Sequence, residues 1–340
     1  MDDRFADLSP ITLSEYETIG CLAFSFFNPL KNREIREDMG LSQYDCITPF
    51  SGLEFIQYLE KNISGDYERK IHKIKKILKM MEHAGLLTHQ GRLANAILGD
   101  CYYALKELTH LQQGNMLWLG EAFGISFLQK ILEGNVVHIT GVNSQGEIGN
   151  GTGFLLNNKT VLTCKHVIAD MTPNKRLEIQ GNDYAYETYS SKELDIAVLV
   201  LDGIVDGAKV FPVFNDIDVL DEVLVMGYPP IPGSDRDYLL SQRGEVNAIV
   251  SSYLNGAKNL VLSSVTRPGS SGGPVISRDG YLVGMVVQQN SFEQSIGLDL
   301  PSIDRHMHHS SFYLAVEGRN LFDEIKKISP EIDIYFEDYR

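Results

Sequence analysis

The sequence predicts a multidomain protein of mixed α and β structure. A mainly helical N-terminal part precedes a long all-β block, and a short helix follows it. Three observations predict this. Before residue 134 apolar residues recur at three- and four-residue spacing, most clearly at Ile71, Ile74, Leu78 and Met81. From Asn135 to about residue 300 that spacing gives way to short apolar runs divided by Gly, Asn, Asp and Pro. Helical spacing then returns from Phe312 to Ile328 and stops ahead of Pro330. With 340 residues the chain is long enough for two or three domains.

The totals narrow the function classes. A formal net charge of −15 argues against a nucleic-acid surface as the dominant feature. The start, MDDRFADLSPITLSEYETIG, has no basic segment followed by an apolar one, so no secretory signal is read there. Ile19–Leu30, the most apolar early segment, is too short to span a bilayer and reads as a buried helix. The cysteines Cys21, Cys46, Cys101 and Cys164 are scattered and form no CxxC, which points to free thiols and a cytoplasmic protein.

Residues 1–134 form the first predicted domain. Leu53–Ile63 and Asp66–His83 read as helices, the second closed by Gly85 at a C-cap position. Leu86–Leu93 reads as a short β-wing turning at Gln90–Gly91, and helical patterns are expected over Ala96–Leu111 and Leu117–Leu132. The run KMMEHAGLLTHQGRL resembles the end of a winged-helix domain. Asp66–Arg92 holds seven Lys/Arg against three acidic residues. Such a run suits a nucleic-acid or partner-docking face, and equally a solvated helix face, which is the commoner case.

Residues 135–305 form the β block. Its apolar runs, among them 136–142, 152–157, 160–164, 196–201, 223–228, 246–250 and 281–288, suggest an antiparallel barrel or sandwich. Residues 306–340 hold a linker, a helix and an acidic, aromatic tail that reads as an edge strand or docking segment. His306, His308 and His309 are imidazoles of the kind that bind metals. No carboxylate or Cys stands at a matching spacing, so they read as linker and no metal is assigned.

Three segments of the β block carry chemistry. RPGSSGGPVIS presents Ser271 in a glycine-rich loop, a setting that can aim backbone N–H groups at one point. Alone, it is equally an ordinary turn. VLTCKHVIAD places His166 just past a strand end, where a core histidine is the plain alternative. ELDIAVLVLD places Asp195 at the mouth of an apolar strand, where it could be only a cap. The order His, Asp, Ser is one of those known for acyl-transfer triads.

Together the local sequences resemble the chymotrypsin-like (trypsin-like) serine peptidases, and among them the compact HtrA/Deg-like bacterial branch. GTGFLLNNKTVLTCKHVI is similar to the segment carrying that family's catalytic histidine, ELDIAVLVL to its aspartate strand, and RPGSSGGPVIS to its nucleophile loop. VLVMGYPP, and GYLVGMVVQ followed by IGLDLPSI, resemble two further family strands. The separations, 29 residues from His166 to Asp195 and 76 from Asp195 to Ser271, fit the compact branch. The resemblance covers about residues 135–305 and implies an antiparallel double β-barrel of the trypsin-like type. It implies a catalytic triad of His166, Asp195 and Ser271, and an oxyanion hole from the backbone N–H groups of Gly269 and Ser271. It implies a polypeptide substrate and no cofactor.

Departures from the family pattern refine the expectation. Ser270 stands where trypsin-type zymogens have an aspartate that captures a new N-terminus, so that activation route is not expected. No PDZ-like segment follows the block, and the N-terminal domain becomes the expected controller, through a partner protein or activating ligand. Cys164 reads as a spectator. Val265, Thr266, Met285, Val286 and Val287 are the expected specificity pocket, suited to a small or medium apolar side chain. The expected function is an intracellular serine endopeptidase, in a setting similar to bacterial stress or antiviral effectors. A DNA-binding, self-cleaving regulator and a catalytically silent protease-fold interaction protein are the alternatives.

Overall fold

A computed structural model of the protein describes residues 9–94, 97–142, 146, 148–170, 176–207, 210–252, 255–287 and 313–338. The chain divides into two compact units, Met1–Phe127 and Leu128–Arg340. His306, His308, His309 and the IGLDLPSI run lie outside the described residues.

In the first unit, α1 (Leu13–Phe26) begins at a capping box in which Thr12 and Glu15 satisfy each other's backbone N–H. A 3₁₀ turn at Pro29–Lys31 leads into α2 (Asn32–Asp38). The two-residue strand β1 (Phe50–Ser51) runs into α3 (Gly52–Asn62), capped in the same way by Ser51 and Glu54. Next come α4 (Ile71–His83), β2 (Thr88–Arg92) and β3 (Asp100–Tyr103), and the three strands pair in the order β1-β3-β2. The core is aromatic. Phe26 is 1% exposed and has the rings of Phe27, Phe50, Phe55 and Tyr58 at centroid distances of 4.6 to 5.2 Å.

Of two further helical expectations, one fails and the other is met with an interruption. Ala96–Leu111 holds strand β3 and ends in the single turn α5 (His110–Gln113). There Tyr102 pairs with both Phe50 and His89, so sheet bonding on both sides outweighs local helical spacing. Leu117–Leu132 is divided into a 3₁₀ turn, α6 (Gly120–Phe123) and α7 (Ile125–Leu132). The break is at Gly124, whose φ of +78° lies outside the helical region.

The basic run around α4 is largely consumed within the unit. Lys70 and Lys73 both pair with Glu15, Lys79 with Glu82 and Asp100, Arg69 with Asp66, and Arg92 with Asp100. Lys73 is 4% exposed, so it serves as an internal fastener and not as surface charge. Among the described residues only Lys75 and Lys76 of the seven have no ion-pair partner, and both are exposed.

The second unit is two antiparallel six-stranded sheets, as the family resemblance implies. The first comprises β4 (Val136–Val142), β5 (Ile148–Asn157), β6 (Thr160–Thr163), β7 (Arg176–Ile179), β8 (Asn182–Ser190) and β9 (Ala197–Leu201), in the order β4-β5-β6-β9-β8-β7. The short helix α8 (Lys165–Asp170) follows β6 directly. Its end strands β4 and β7 approach each other, which curls the sheet toward a barrel. The second sheet is a closed barrel of β10 (Glu222–Gly227), β11 (Leu240–Ser251), β12 (Lys258–Leu262), β15 (Tyr313–Glu317), β14 (Leu282–Val287) and β13 (Pro274–Ser277), given in their order around the barrel. Its interior is branched aliphatic, with Val223, Val225, Val246, Leu260, Val275 and Val286 all buried.

β15 corrects the sequence reading, which placed a helix from Phe312 and ended the β block at 305. Tyr313–Glu317 pairs with β12 on one side and β14 on the other. Closing the barrel satisfies both neighbours' free edges, a gain that no local helix offers these five residues. The helix is therefore shorter, α9 (Gly318–Ile328). The tail docks on its own unit. Phe336 bridges to Phe214, Arg319 lies 3.9 Å over the Phe336 ring, and Tyr281 donates to Glu337 at 2.6 Å.

The chain's single tryptophan, Trp118, is buried in the first unit against Phe24, so its fluorescence reports that unit. Phe26→Ala is expected to destabilise the Trp118-monitored unfolding transition in denaturant by about 3–5 kcal/mol. A change under about 1 kcal/mol would contradict the packing assigned to Phe26.

Candidate active site

The candidate site is assembled from three chain segments that meet around one strand end. β6 stops at Thr163, and α8 begins two residues later at Lys165. His166 therefore sits in the first turn of a helix and holds a fixed orientation. Asp195 sits in the loop of residues 191–196 that joins β8 to β9. That loop is closed at its base by the Ser191 N–H donating to Ile196 O at 2.9 Å. Ser190 and Ala197 pair across the strands just outside it.

His166 and Asp195 are joined twice. The His166 backbone N–H donates to Asp195 Oδ1 at 2.9 Å, and ring Nδ1 lies 2.6 Å from Asp195 Oδ2. Burial acts to raise the Asp195 carboxyl, but the hydrogen bonds and charge of His166, helped by Lys165, outweigh it. The net shift is downward. An ionised carboxylate only accepts, so Nδ1 carries the proton in the neutral ring and Nε2 presents a lone pair. Both side chains are about one-fifth exposed.

Cys164 completes a group of three potential metal ligands with His166 and Asp195. Two ligands of one tetrahedral zinc ion stand about 3.4 Å apart, given bonds near 2.1 Å. The 2.6 Å between Nδ1 and Oδ2 is a hydrogen bond instead. Burial, aided by the Asp195 charge, pushes the Cys164 thiol well above its ordinary range. That makes it an unreactive hydrogen-bond donor.

Ser271 lies in the loop between β12 and β13 and is 4% exposed. Two connections tie this loop to the histidine strand. The Val286 carbonyl accepts from Gly272 N–H at 2.9 Å and from the Cys164 thiol at 3.3 Å. Thr152 N–H donates to Ser271 O at 2.9 Å, while Thr152 O accepts from the Thr163 hydroxyl at 2.7 Å. The Thr152 hydroxyl donates in turn to Gly269 O at 2.7 Å and accepts from Tyr228 N–H. Thr152 and Thr163, both fully buried, were not singled out in the sequence. The available signal was a threonine inside the glycine-rich segment GTGF and another at the end of the strand TVLT.

The glycines of this loop are required. Ser270 N–H donates to Arg267 O at 2.8 Å around a turn with Pro268 second and Gly269, at φ +93°, third. This is a type II turn, and it needs positive φ at that position. Gly272 has φ +87°, and a Cβ there would lie 2.0 Å from Thr152 O. Among the described residues, neither the Gly269 nor the Ser271 N–H donates to an acceptor. Both expected oxyanion donors are thus unengaged within the protein.

The expected pocket residues separate into two groups. Val265 is 43% exposed and Thr266 half-buried, just ahead of the Ser271 loop. Met285, Val286 and Val287 are buried along β14, with Val286 inside the barrel core.

Comparison with known proteins agrees with this architecture. The family model of the trypsin-like peptidase domain matches residues 151–285. The chain contains a trypsin-like peptidase domain. That match spans all three segments around His166, Asp195 and Ser271. Protease Do-like 4, mitochondrial, of Arabidopsis thaliana is 28% identical over 161 residues, 45% of this chain and 30% of that protein. The chain therefore spans about a third of that relative's length. Among solved structures, the active form of the Rv3671c protease of M. tuberculosis has a TM-score of 0.46 and 18% identity, covering 59% of this chain and 84% of that one. The serine endoprotease of Yersinia pestis has a TM-score of 0.43 and 18% identity, covering 66% and 69%.

Gly272→Ala is expected to cost about 2–4 kcal/mol through positive-φ strain and overpacking. The readout is lost amide-exchange protection at Thr152, and wild-type protection there would contradict the tether.

Proposed function

We propose that the protein is a serine endopeptidase acting through Ser271, His166 and Asp195. The observation that carries this reading is the double hydrogen bond from His166 to both oxygens of Asp195. It sets the imidazole tautomer so that Nε2 serves as general base. In this reading Nε2 takes the Ser271 proton as Oγ attacks the scissile carbonyl. The oxyanion is met by the Gly269 and Ser271 N–H groups, each worth about 3–4 kcal/mol of barrier in comparable sites. His166 then protonates the leaving amine, and a water attacks the acyl-enzyme by the reverse sequence. Asp195 keeps its charge throughout and stabilises the imidazolium.

The substrate is a polypeptide with a small or medium apolar side chain before the cleaved bond, its pocket formed by Val265 and Thr266 ahead of the Ser271 loop and by the strand Met285, Val286 and Val287. The first unit regulates or targets this activity through a partner protein or ligand. The strand β1 followed by α3, α4 and the β2–β3 hairpin supports a winged-helix-like module, preceded here by α1 and α2, a type that also serves protein interaction. The ion-paired basic run of α4 favours a protein partner over DNA. Four free thiols support a reducing compartment such as the cytoplasm, and a stress or antiviral effector role is the setting we assign. Among the described residues no helix is long and apolar enough to cross a membrane.

A fluorophosphonate probe is expected to label the wild type, with labelling lost in Ser271→Ala and slowed about 10⁴-fold in Asp195→Asn. Labelling that survives Ser271→Ala refutes the nucleophile. A peptide-library profile is expected to show Ala, Val or similar residues before the cut, and a strong preference for Arg or Lys would refute the pocket.

A further inference from the structure

The loop that carries Asp195 is held from outside its own sheet. Ser191, 1% exposed, is its hub. The Ser191 hydroxyl accepts from Glu193 N–H at 3.0 Å and from Leu194 N–H at 2.9 Å. A hydroxyl has two acceptor lone pairs and one proton, so its acceptor capacity is full and the proton must find an acceptor of its own. That acceptor is Glu324 Oε1, on α9. Glu324 is 7% exposed and takes one further bond, from Lys327 Nζ to Oε2 at 3.5 Å. The carbonyl of Ser191 accepts from Lys165 Nζ at 2.9 Å, and Lys165 directly precedes His166. Two further bonds act on the same loop. Lys327 reaches Glu193 Oε2 at 2.9 Å, and Asn255 Nδ2 donates to Glu193 O at 3.2 Å.

We infer that Glu324 is a positioning residue for the catalytic aspartate. Through Ser191 it fixes residues 193 and 194, and so the placement of Asp195 against His166. The inference rests on the triad proposed above. Removing Glu324 leaves a buried hydroxyl proton without an acceptor, a loss the site relieves by turning the hydroxyl. Turning it releases the Glu193 and Leu194 N–H groups, and the loop loses its shape one residue before Asp195. α9 touches neither substrate nor Ser271 in this account; it acts only through the loop. Glutamine keeps an oxygen acceptor at the same place, whereas alanine keeps nothing.

The test is the rate of active-site labelling by a fluorophosphonate probe on the full chain, resolved into a maximal rate and a probe-binding constant. Glu324→Ala and Ser191→Ala are expected to lower the maximal rate at least tenfold with an unchanged binding constant. Glu324→Gln is expected to stay within about twofold of wild type. Wild-type rates in both alanine variants would overturn the inference. So would an equal fall in Glu324→Gln and Glu324→Ala tracking only a loss of thermal stability, since that marks a structural role. If Glu324→Ala does not fold, Ser191→Ala and Glu324→Gln decide the same question. Wild-type protein lacking Ser271-dependent labelling would instead overturn the triad, and this inference with it.

Discussion

The candidate site depends on how one half-buried carboxylate is kept charged. Taking a carboxylate out of water costs several kcal/mol unless its oxygens are matched by donors. Asp195 has both oxygens matched by a single residue, through the backbone N–H and the ring of His166. That arrangement demands that a strand end, a helix start and a hairpin loop meet within a hydrogen bond. β6, α8 and the β8–β9 loop meet in this way, and the pairing of β6 with β9 brings the two segments together. The order of the first sheet follows from this need as much as from its apolar core.

The second barrel supplies the other half of the site. The Ser271 loop has no regular structure to hold it, and its conformation requires positive φ at Gly269 and Gly272. What holds it is bonding to Thr152 of the first sheet on one side and, on the other, to the Val286 carbonyl of its own barrel, which the Cys164 thiol also shares. The Cys164 thiol belongs to this scaffold. Its burial removes it from redox chemistry and leaves it as a weak donor between the histidine strand and the serine loop.

Much of this was legible in the sequence because the chemistry is written in short local motifs. His166 sits just past one apolar run, and Asp195 and Ser271 just ahead of the next, beside β6, β9 and β13. What was not legible is non-local. β15 runs straight into an amphipathic helix, so its five residues read as the helix's first turns; its partners β12 and β14 are distant in sequence. Tyr102 was absorbed into a helical pattern for the same reason. The bond between Ser191 and Glu324 spans 133 residues, and nothing near either residue announces it. The charge run of α4 misled in the opposite direction. Glu15 and Asp100, which pair with four of its seven cations, lie outside the window in which the run was counted.

In the proposed mechanism His166, Asp195 and the Ser271 loop act as one unit with free oxyanion donors. The most direct measurement is a crystal structure of the protein inactivated by diisopropyl fluorophosphate. The account predicts a covalent bond from Ser271 Oγ to phosphorus, the phosphoryl oxygen on the Gly269 and Ser271 N–H groups, and His166 still joined twice to Asp195. An adduct on another residue, or a phosphoryl oxygen turned away from both N–H groups, would contradict it.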